Sequence, residues 1–260
     1  MNTIIDKVKE MNTFLGTEKF KPPWFIAHRG YRARYPENTL VAFQAALDAG
    51  VQMIELDVAL SRDRKLVVIH DATLERTTDG EGAVKEHTLA QLKQLDAGGW
   101  FHPRFAGEHL PELSEVLDLA DGQVLINIEI KPHAYEPHHP PDAVERQTVE
   151  LVCRRNIAER VLISSFDLNL LKYIATLEHA PALGLISRNP ADRHTLENCE
   201  QLNAVSWHPN HQILTPDQVK TMHAHAIRVF PYNADTSAEI ARVLEMDVDG
   251  VISSDPLLPN

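Results

Sequence analysis

From Pro23 onward, short apolar runs alternate with longer amphipathic stretches, and no other feature of the sequence restricts the fold as much. An unbroken apolar run suits a strand covered on both faces, and the amphipathic stretch after it suits a helix lying on that strand. A chain that repeats this pair builds a parallel sheet. The expected strands are Trp24–Ala27, Gln52–Val58, Val124–Ile130, Arg160–Ser164, Ala182–Ile186, Ala204–Ser206, Arg228–Phe230 and Gly250–Ile252. That is about as many as an eight-stranded α/β barrel needs. The clearest helices are Thr39–Ala49, Leu113–Ala120, Ala143–Arg155, Leu168–Leu177, Pro216–His225 and Ser237–Glu245. Pro216 directly after Thr215 reads as a capped helix start.

Two segments interrupt the rhythm. The first runs from His70 to about Leu110, far beyond an ordinary βα connection of about 2–6 residues, and reads as a functional loop or small subdomain. The second, Pro132–Asp142, is rich in Pro and His and reads as an exposed loop. With no repeat or linker, the 260 residues divide into an N-terminal extension over 1–22 and one domain over 23–260, with an insertion over about 72–110. In the extension, Ile4, Ile5, Val8, Met11 and Leu15 suit one face of a short helix strapped over the domain. Asp6, Lys7, Lys9 and Glu10 interrupt any signal-peptide core there.

No stretch is apolar enough to span a membrane, so stable membrane insertion is not expected. Cys153 and Cys199 form no short metal or redox pair and read as buried thiols; with no signal-peptide core or spanning segment, the cytoplasm is the expected compartment. The formal charge of −12 argues against a nucleic-acid partner, which would need clustered Lys and Arg. A small phosphate ester in a pocket stays open. The sequence sets no oligomeric state.

Glu55-Leu56-Asp57 lies at the end of the second strand, where period-two alternation points both carboxylates the same way. Glu129-Ile130-Lys131 repeats the device on the third strand. Carboxylates converging at strand ends would repel one another and take up protons unless a cation neutralised them. A hard divalent ion, Mg²⁺ or Ca²⁺, suits oxygen-only ligands. The alternative is a set of salt-bridged surface acids, against which the apolar neighbours on both strands argue. His28-Arg29-Gly30 follows the first strand and His70-Asp71 follows the apolar run Leu66–Ile69. A histidine pair beside such a site can move one proton off a nucleophile and another onto a leaving group.

The ordered set His28-Arg29-Gly30, Pro36-Glu37-Asn38-Thr39, Glu55-Leu56-Asp57-Val58, His70-Asp71 and Glu129-Ile130-Lys131 resembles the signature of the glycerophosphodiester phosphodiesterases. Ser164-Ser165-Phe166-Asp167 and Gly250-Val251-Ile252-Ser253-Ser254-Asp255-Pro256 extend the resemblance over nearly the whole chain. It implies a TIM (β/α)8 barrel whose insertion after the second strand lies over the mouth. It also implies a divalent metal on Glu55, Asp57 and Glu129, acid–base work by His28 and His70, with His28 the base, and phosphate contacts from Arg29 and Lys131. The activity implied is hydrolysis of a small-molecule glycerophosphodiester to sn-glycerol 3-phosphate and an alcohol. The rivals are a phospholipase-like enzyme on lipid substrates, which would want an apolar or basic rim, and a phosphodiester binder without turnover.

Two departures stand out. The family's Trp-Thr-Val-Asn is Phe230-Pro231-Tyr232-Asn233 here, which leaves the wall of the alcohol pocket open. Its Pro-Thr-Leu is Pro111-Glu112-Leu113, at the loss of a capping hydroxyl. His133, His138 and His139 read as a solvated loop rather than a metal cluster, and Trp100, Phe101 and Phe105 as a small local core. Trp207-His208 at a strand end is a candidate substrate-facing pair.

Overall fold

The structure, a computed structural model, describes residues 21–188 and 193–257; the expected N-terminal helix lies outside them. The strands are β1 (Trp24–His28), β2 (Met53–Leu60), β3 (Leu66–Val68), β4 (Leu125–Ile130), β5 (Val161–Ser165), β6 (Ala182–Ser187), β7 (Ser206–Pro209), β8 (Arg228–Val229) and β9 (Gly250–Ser253). All but β3 run parallel, in the order β8-β7-β6-β5-β4-β2-β1-β9. The ring closes between β8 and β9, where Asp249 N donates to Val229 O at 3.2 Å and Ile252 N to Pro231 O at 2.9 Å. This is the expected TIM-type barrel.

The helices are α1 (Leu40–Asp48), α2 (Leu89–Leu92), α3 (Leu113–Ala120), α4 (Val144–Arg154), α5 (Leu168–Ile174), α6 (Arg193–Gln201), α7 (Pro216–Ala224) and α8 (Ser237–Leu244). Thr39, Thr215 and Thr236 cap α1, α7 and α8 with hydroxyls that accept first-turn N–H groups. At α3 the missing hydroxyl is offset from the other side, because the Glu115 carboxylate accepts from Glu112 N at 2.8 Å. Two differences from the sequence reading concern polar composition. β7 begins at Ser206 and runs through Pro209, later than expected, because inward-facing His208 and terminal Pro209 disguise it as a loop. α6 was not expected; it turns only Thr195, Leu196 and Cys199 toward the core, within a stretch of charged and polar residues.

The barrel interior is divided by height. Trp24, Ile26, Met53, Leu125, Leu162, Phe230 and Ile252 plug the N-terminal end. Above them the same strands turn polar: Met53 gives way to Glu55 and Asp57 on β2, and Leu125 to Asn127 and Glu129 on β4. The apolar plug carries stability, at about 2–5 kcal/mol per large side chain truncated, and leaves the upper positions to chemistry.

β2 runs on past the mouth, and β3 returns antiparallel to it with Val58 beside Val68. Ile69 N then donates to Asp57 O at 3.0 Å, which brings His70 level with the end of the barrel. The insertion has its own core of Leu74, Val84, Leu92, Ala97 and Leu110 against Val67 and Ile69. Trp100, Phe101 and Phe105 form the expected aromatic cluster and lean on Tyr35 of the β1–α1 loop. The insertion therefore stands beside that loop, and none of residues 72–110 lines the central cavity.

Candidate active site

The cavity at the C-terminal end of the barrel has a volume of about 310 Å³. His28, Arg29, Glu55, His70, Glu129 and Lys131 all line it, so six of the seven residues singled out in the sequence meet there. The seventh, Asp57, is fully buried just behind them. Glu55, Asp57 and Glu129 each present an oxygen within 4.8 Å of the others. Among the described residues no other His, Cys, Asp and Glu side chains gather in this way, so the His133–His139 loop forms no metal cluster. His139 instead bonds Glu145 at 3.0 Å and stacks on Tyr173.

The bend after β1 creates this convergence. Arg29 lies at φ +57° and Gly30 at φ +77°, where a Cβ on Gly30 would meet the Ala42 carbonyl carbon at 2.7 Å. So bent, Arg29 donates its backbone N–H to Glu55 Oε2 at 2.8 Å and accepts from Asn38 N at 3.0 Å. Its side chain reaches Glu37 Oε1 at 2.7 Å and Asp57 Oδ2 at 3.3 Å. Asn38, itself at φ +56°, donates to Asp57 Oδ2 at 2.9 Å. Lys131 Nζ lies 2.6 Å from Glu129 Oε1 and 3.5 Å from Asp57 Oδ1.

These contacts leave Glu55 Oε1 and Asp57 Oδ1 buried with no hydrogen-bond partner. Burial, then the charges of Asp57 and Glu129, push the Glu55 carboxyl well above its usual range. Burial and Asp57 raise Glu129 to about 7, against the pull of Lys131. Orphaned, mutually repelling carboxylate oxygens are what a hard cation would relieve, so the donor set fits one.

Burial, reinforced by Arg29, Arg32 and Lys131, holds the His28 pKa well below normal and keeps its imidazole neutral. His70 is also lowered by burial, though Asp57 and Asp71 oppose this. Its Nδ1 lies 2.5 Å from Asp71 Oδ1, which fixes the ring and leaves Nε2 to the cavity side. Arg76, from the insertion, donates to Asp71 at 2.5 Å and to Glu37 at 2.8 and 3.0 Å. Against the effect of burial, these hydrogen bonds hold Glu37 and Asp71 at about 2.

The opposite wall comes from β6, β7 and the chain beyond β8. Phe230 faces the plug and stacks on Trp24, whereas Tyr232 lines the cavity edge-on to Phe166, 5.9 Å away. The aromatic residue of this segment that lines the cavity is thus Tyr232, two residues beyond Phe230. Trp207 points outward into the helix layer, and His208 lines the cavity. His208 Nε2 meets Ser206 Oγ at 2.9 Å, in room made by Gly184, whose Cβ would come within 2.9 Å of both. Burial lowers His208 to about 3. On this polar floor Asn127 Oδ1 and His208 Nδ1 are buried without hydrogen-bond partners, as is Ser164 Oγ on neighbouring β5.

The sequence reading gave no role to Asn38, Asp71, Arg76, Asn127 or Tyr232. Asn38 and Asp71 lie inside the quoted motifs, but only the fold shows which side chains they hold.

A model of the glycerophosphoryl diester phosphodiesterase family matches residues 28–258. The chain belongs to this family. A glycerophosphodiester phosphodiesterase of Caldanaerobacter subterraneus subsp. tengcongensis is 38% identical over 232 residues, 89% of this chain and 93% of that one. One from Bacillus subtilis is 32% identical over 89% of this chain and 83% of its own. A phosphodiesterase of Oleispira antarctica, solved with the product sn-glycerol-3-phosphate, superposes with a TM-score of 0.81 at 29% identity, covering 90% of this chain and 94% of that one. Like other members of the glycerophosphoryl diester phosphodiesterase family, the chain is an enzyme with a barrel fold, and no helix among its described residues is long and apolar enough to cross a membrane.

Proposed function

We propose that this enzyme hydrolyses glycerophosphodiesters to sn-glycerol 3-phosphate and an alcohol, with a divalent metal ion held by Glu55, Asp57 and Glu129. The observation that carries the reading is the pair of buried oxygens on Glu55 and Asp57 that accept no hydrogen bond, beside two cations at one cavity. A Mg²⁺ or Ca²⁺ ion bound there would supply Lewis-acid stabilisation of charge growing on the phosphoryl oxygens. Arg29 and Lys131 face the cavity from the acid cluster and contact the non-bridging oxygens. Their attachment to Asp57, Glu37 and Glu129 pre-orients them, so little reorganisation is needed as charge develops.

His28, buried and neutral, removes the proton from the attacking hydroxyl as its oxygen bonds to phosphorus. His70, held through Nδ1 by Asp71, protonates the alcohol oxygen as its bond to phosphorus breaks. The enclosed floor of Asn127 and His208 offers its atoms without hydrogen bonds to the glycerol hydroxyls, the part common to every substrate. Nucleic acid is not a partner in this reading, and the compartment is the cytoplasm, in keeping with two cysteines outside any disulfide.

The test is release of sn-glycerol 3-phosphate from glycerophosphocholine and glycerophosphoglycerol, before and after chelation and re-addition of Mg²⁺, Ca²⁺ or Mn²⁺. Turnover that survives complete chelation would sink the metal assignment. No release from any ester would sink the activity.

A further inference from the structure

Three cations border the cavity, and they are not equivalent. Arg29 and Lys131 are buried and each bonds carboxylates. Arg188 is exposed at the mouth, and no carboxylate among the described residues lies within 4.0 Å of it. Its guanidinium sits 5.0 Å from the centre of the Phe166 ring, on the ring that also has Lys131 Nζ at 5.8 Å. The aromatic face positions the cation without neutralising it.

The base of the side chain is fixed as well. Ser187, directly before it, accepts from Trp207 Nε1 on its hydroxyl at 2.8 Å and from Tyr232 OH on its carbonyl at 3.1 Å. Tyr232 is itself part of the cavity wall. Arg188 is therefore a mounted charge on the open side of the pocket, across from the acids.

Geometry also says which part of a substrate meets it. Glycerol is constant among these diesters, so an enclosed floor can match it, whereas the alcohol varies in size and has to depart, which suits the rim. The phosphate lies between the two. We propose that Arg188 selects glycerophosphodiesters whose alcohol carries a negative charge, such as a carboxylate. This rests on the hydrolase reading above and specifies its substrate class.

Glycerophosphoserine and glycerophosphoethanolamine differ only by a carboxylate on the alcohol, so the ratio of their kcat/KM values isolates the effect. The wild-type enzyme is expected to favour the serine ester by about three- to fivefold, as for an ion pair at an exposed site. Arg188→Gln should bring the ratio close to one, Arg188→Glu should reverse it, and Arg188→Lys should keep part of the preference. A wild-type ratio near one, a ratio unmoved by the substitutions, or an equal fall on both esters would overturn the inference, the last by assigning Arg188 to the phosphate. Glycerophosphoglycerol, with a neutral alcohol, is the control. No release from any of the three esters would overturn the hydrolase reading and this inference with it, while turnover without discrimination overturns this inference alone.

Discussion

At the ends of β1, β2 and β4 almost every charged side chain holds another, in a chain that runs from His70 through Asp71, Arg76, Glu37 and Arg29 to Asp57. Across the same cavity, the wall from β6, β7 and the segment after β8 carries an aromatic ring, amides, a neutral histidine and, at the rim, Arg188, with which no carboxylate among the described residues pairs. The first wall is rigid because each group is fixed by opposite charges, and it suits chemistry common to all substrates. The second is built from separate side chains and suits the part that varies. The difference teaches that substitutions on the charged wall should act on every substrate alike, and those on the aromatic wall should discriminate.

The strongest attempt to break this comparison uses the acids. Glu55→Gln, Asp57→Asn and Glu129→Gln each remove an anionic oxygen and should lower kcat/KM by about 10³-fold on every ester, with weaker Mg²⁺ or Ca²⁺ binding by calorimetry. Metal affinity undiminished in all three variants would refute the site. The folded barrel should survive chelation, since its core does not depend on one ion, and circular dichroism would check this.

The histidines come next. His28→Ala and His70→Ala should each cost about 10²–10³-fold on glycerophosphocholine. On glycerol phosphate bearing a p-nitrophenyl group, whose leaving anion needs no proton, only His70→Ala should recover. Recovery of His28→Ala instead would exchange their roles.

The metal-free protein gives a pH test of the acids. Glu129 is raised from 4.5 to about 7 in the folded state, so between those values the folded chain binds more protons than the unfolded one. Stability should therefore be greatest near and below pH 4.5 on this account and decline as pH rises through about 7, by on the order of 1–3 kcal/mol. Denaturant melts in chelator should show that decline, and Glu129→Gln should flatten it. A wild-type curve equally flat would mean that the acids do not repel as their burial implies.

A smaller effect should come from Arg76, which touches the wall but not the cavity. Arg76→Met should reduce turnover about tenfold by loosening His70 and Arg29 together, with Arg76→Lys recovering part of it. An equal loss across esters keeps it on the charged side of the comparison, whereas a loss that depends on the headgroup would move it to the other. The smallest is Tyr232→Phe, which removes only the bond to the Ser187 carbonyl. It should change kcat/KM by about two- to threefold, more for the serine ester than for the ethanolamine ester.

Much of the charged wall was legible in the sequence because its device is local. Glu55 and Asp57, or Glu129 and Lys131, are two residues apart on a strand, and alternation alone aims them together. The connections between these pairs were not legible, because Asn38 reaches Asp57, and Arg76 reaches Glu37, only after the chain has folded back. The aromatic wall was hidden for a different reason. Its strand β7 carries His208 and Pro209 where a barrel strand is expected to be apolar, and the aromatic residue that lines the cavity, Tyr232, lies two residues beyond Phe230, the aromatic at the motif's Trp position. Inward-facing polar groups at a site erase the very pattern by which a strand is recognised.

β1 is hydrogen-bonded on one side to β2 and on the other to β9, the last strand among the described residues, and Ala33 after the bend bonds Ser254. His28 and Arg29 therefore acquire their final surroundings only when residues near 254 are available. On a ribosome, the acids of β2 and β4 emerge long before that strand does. A nascent chain can gather its carboxylates early, but it is left without a finished catalytic wall until the strand near residue 254 has been made and has docked beside β1.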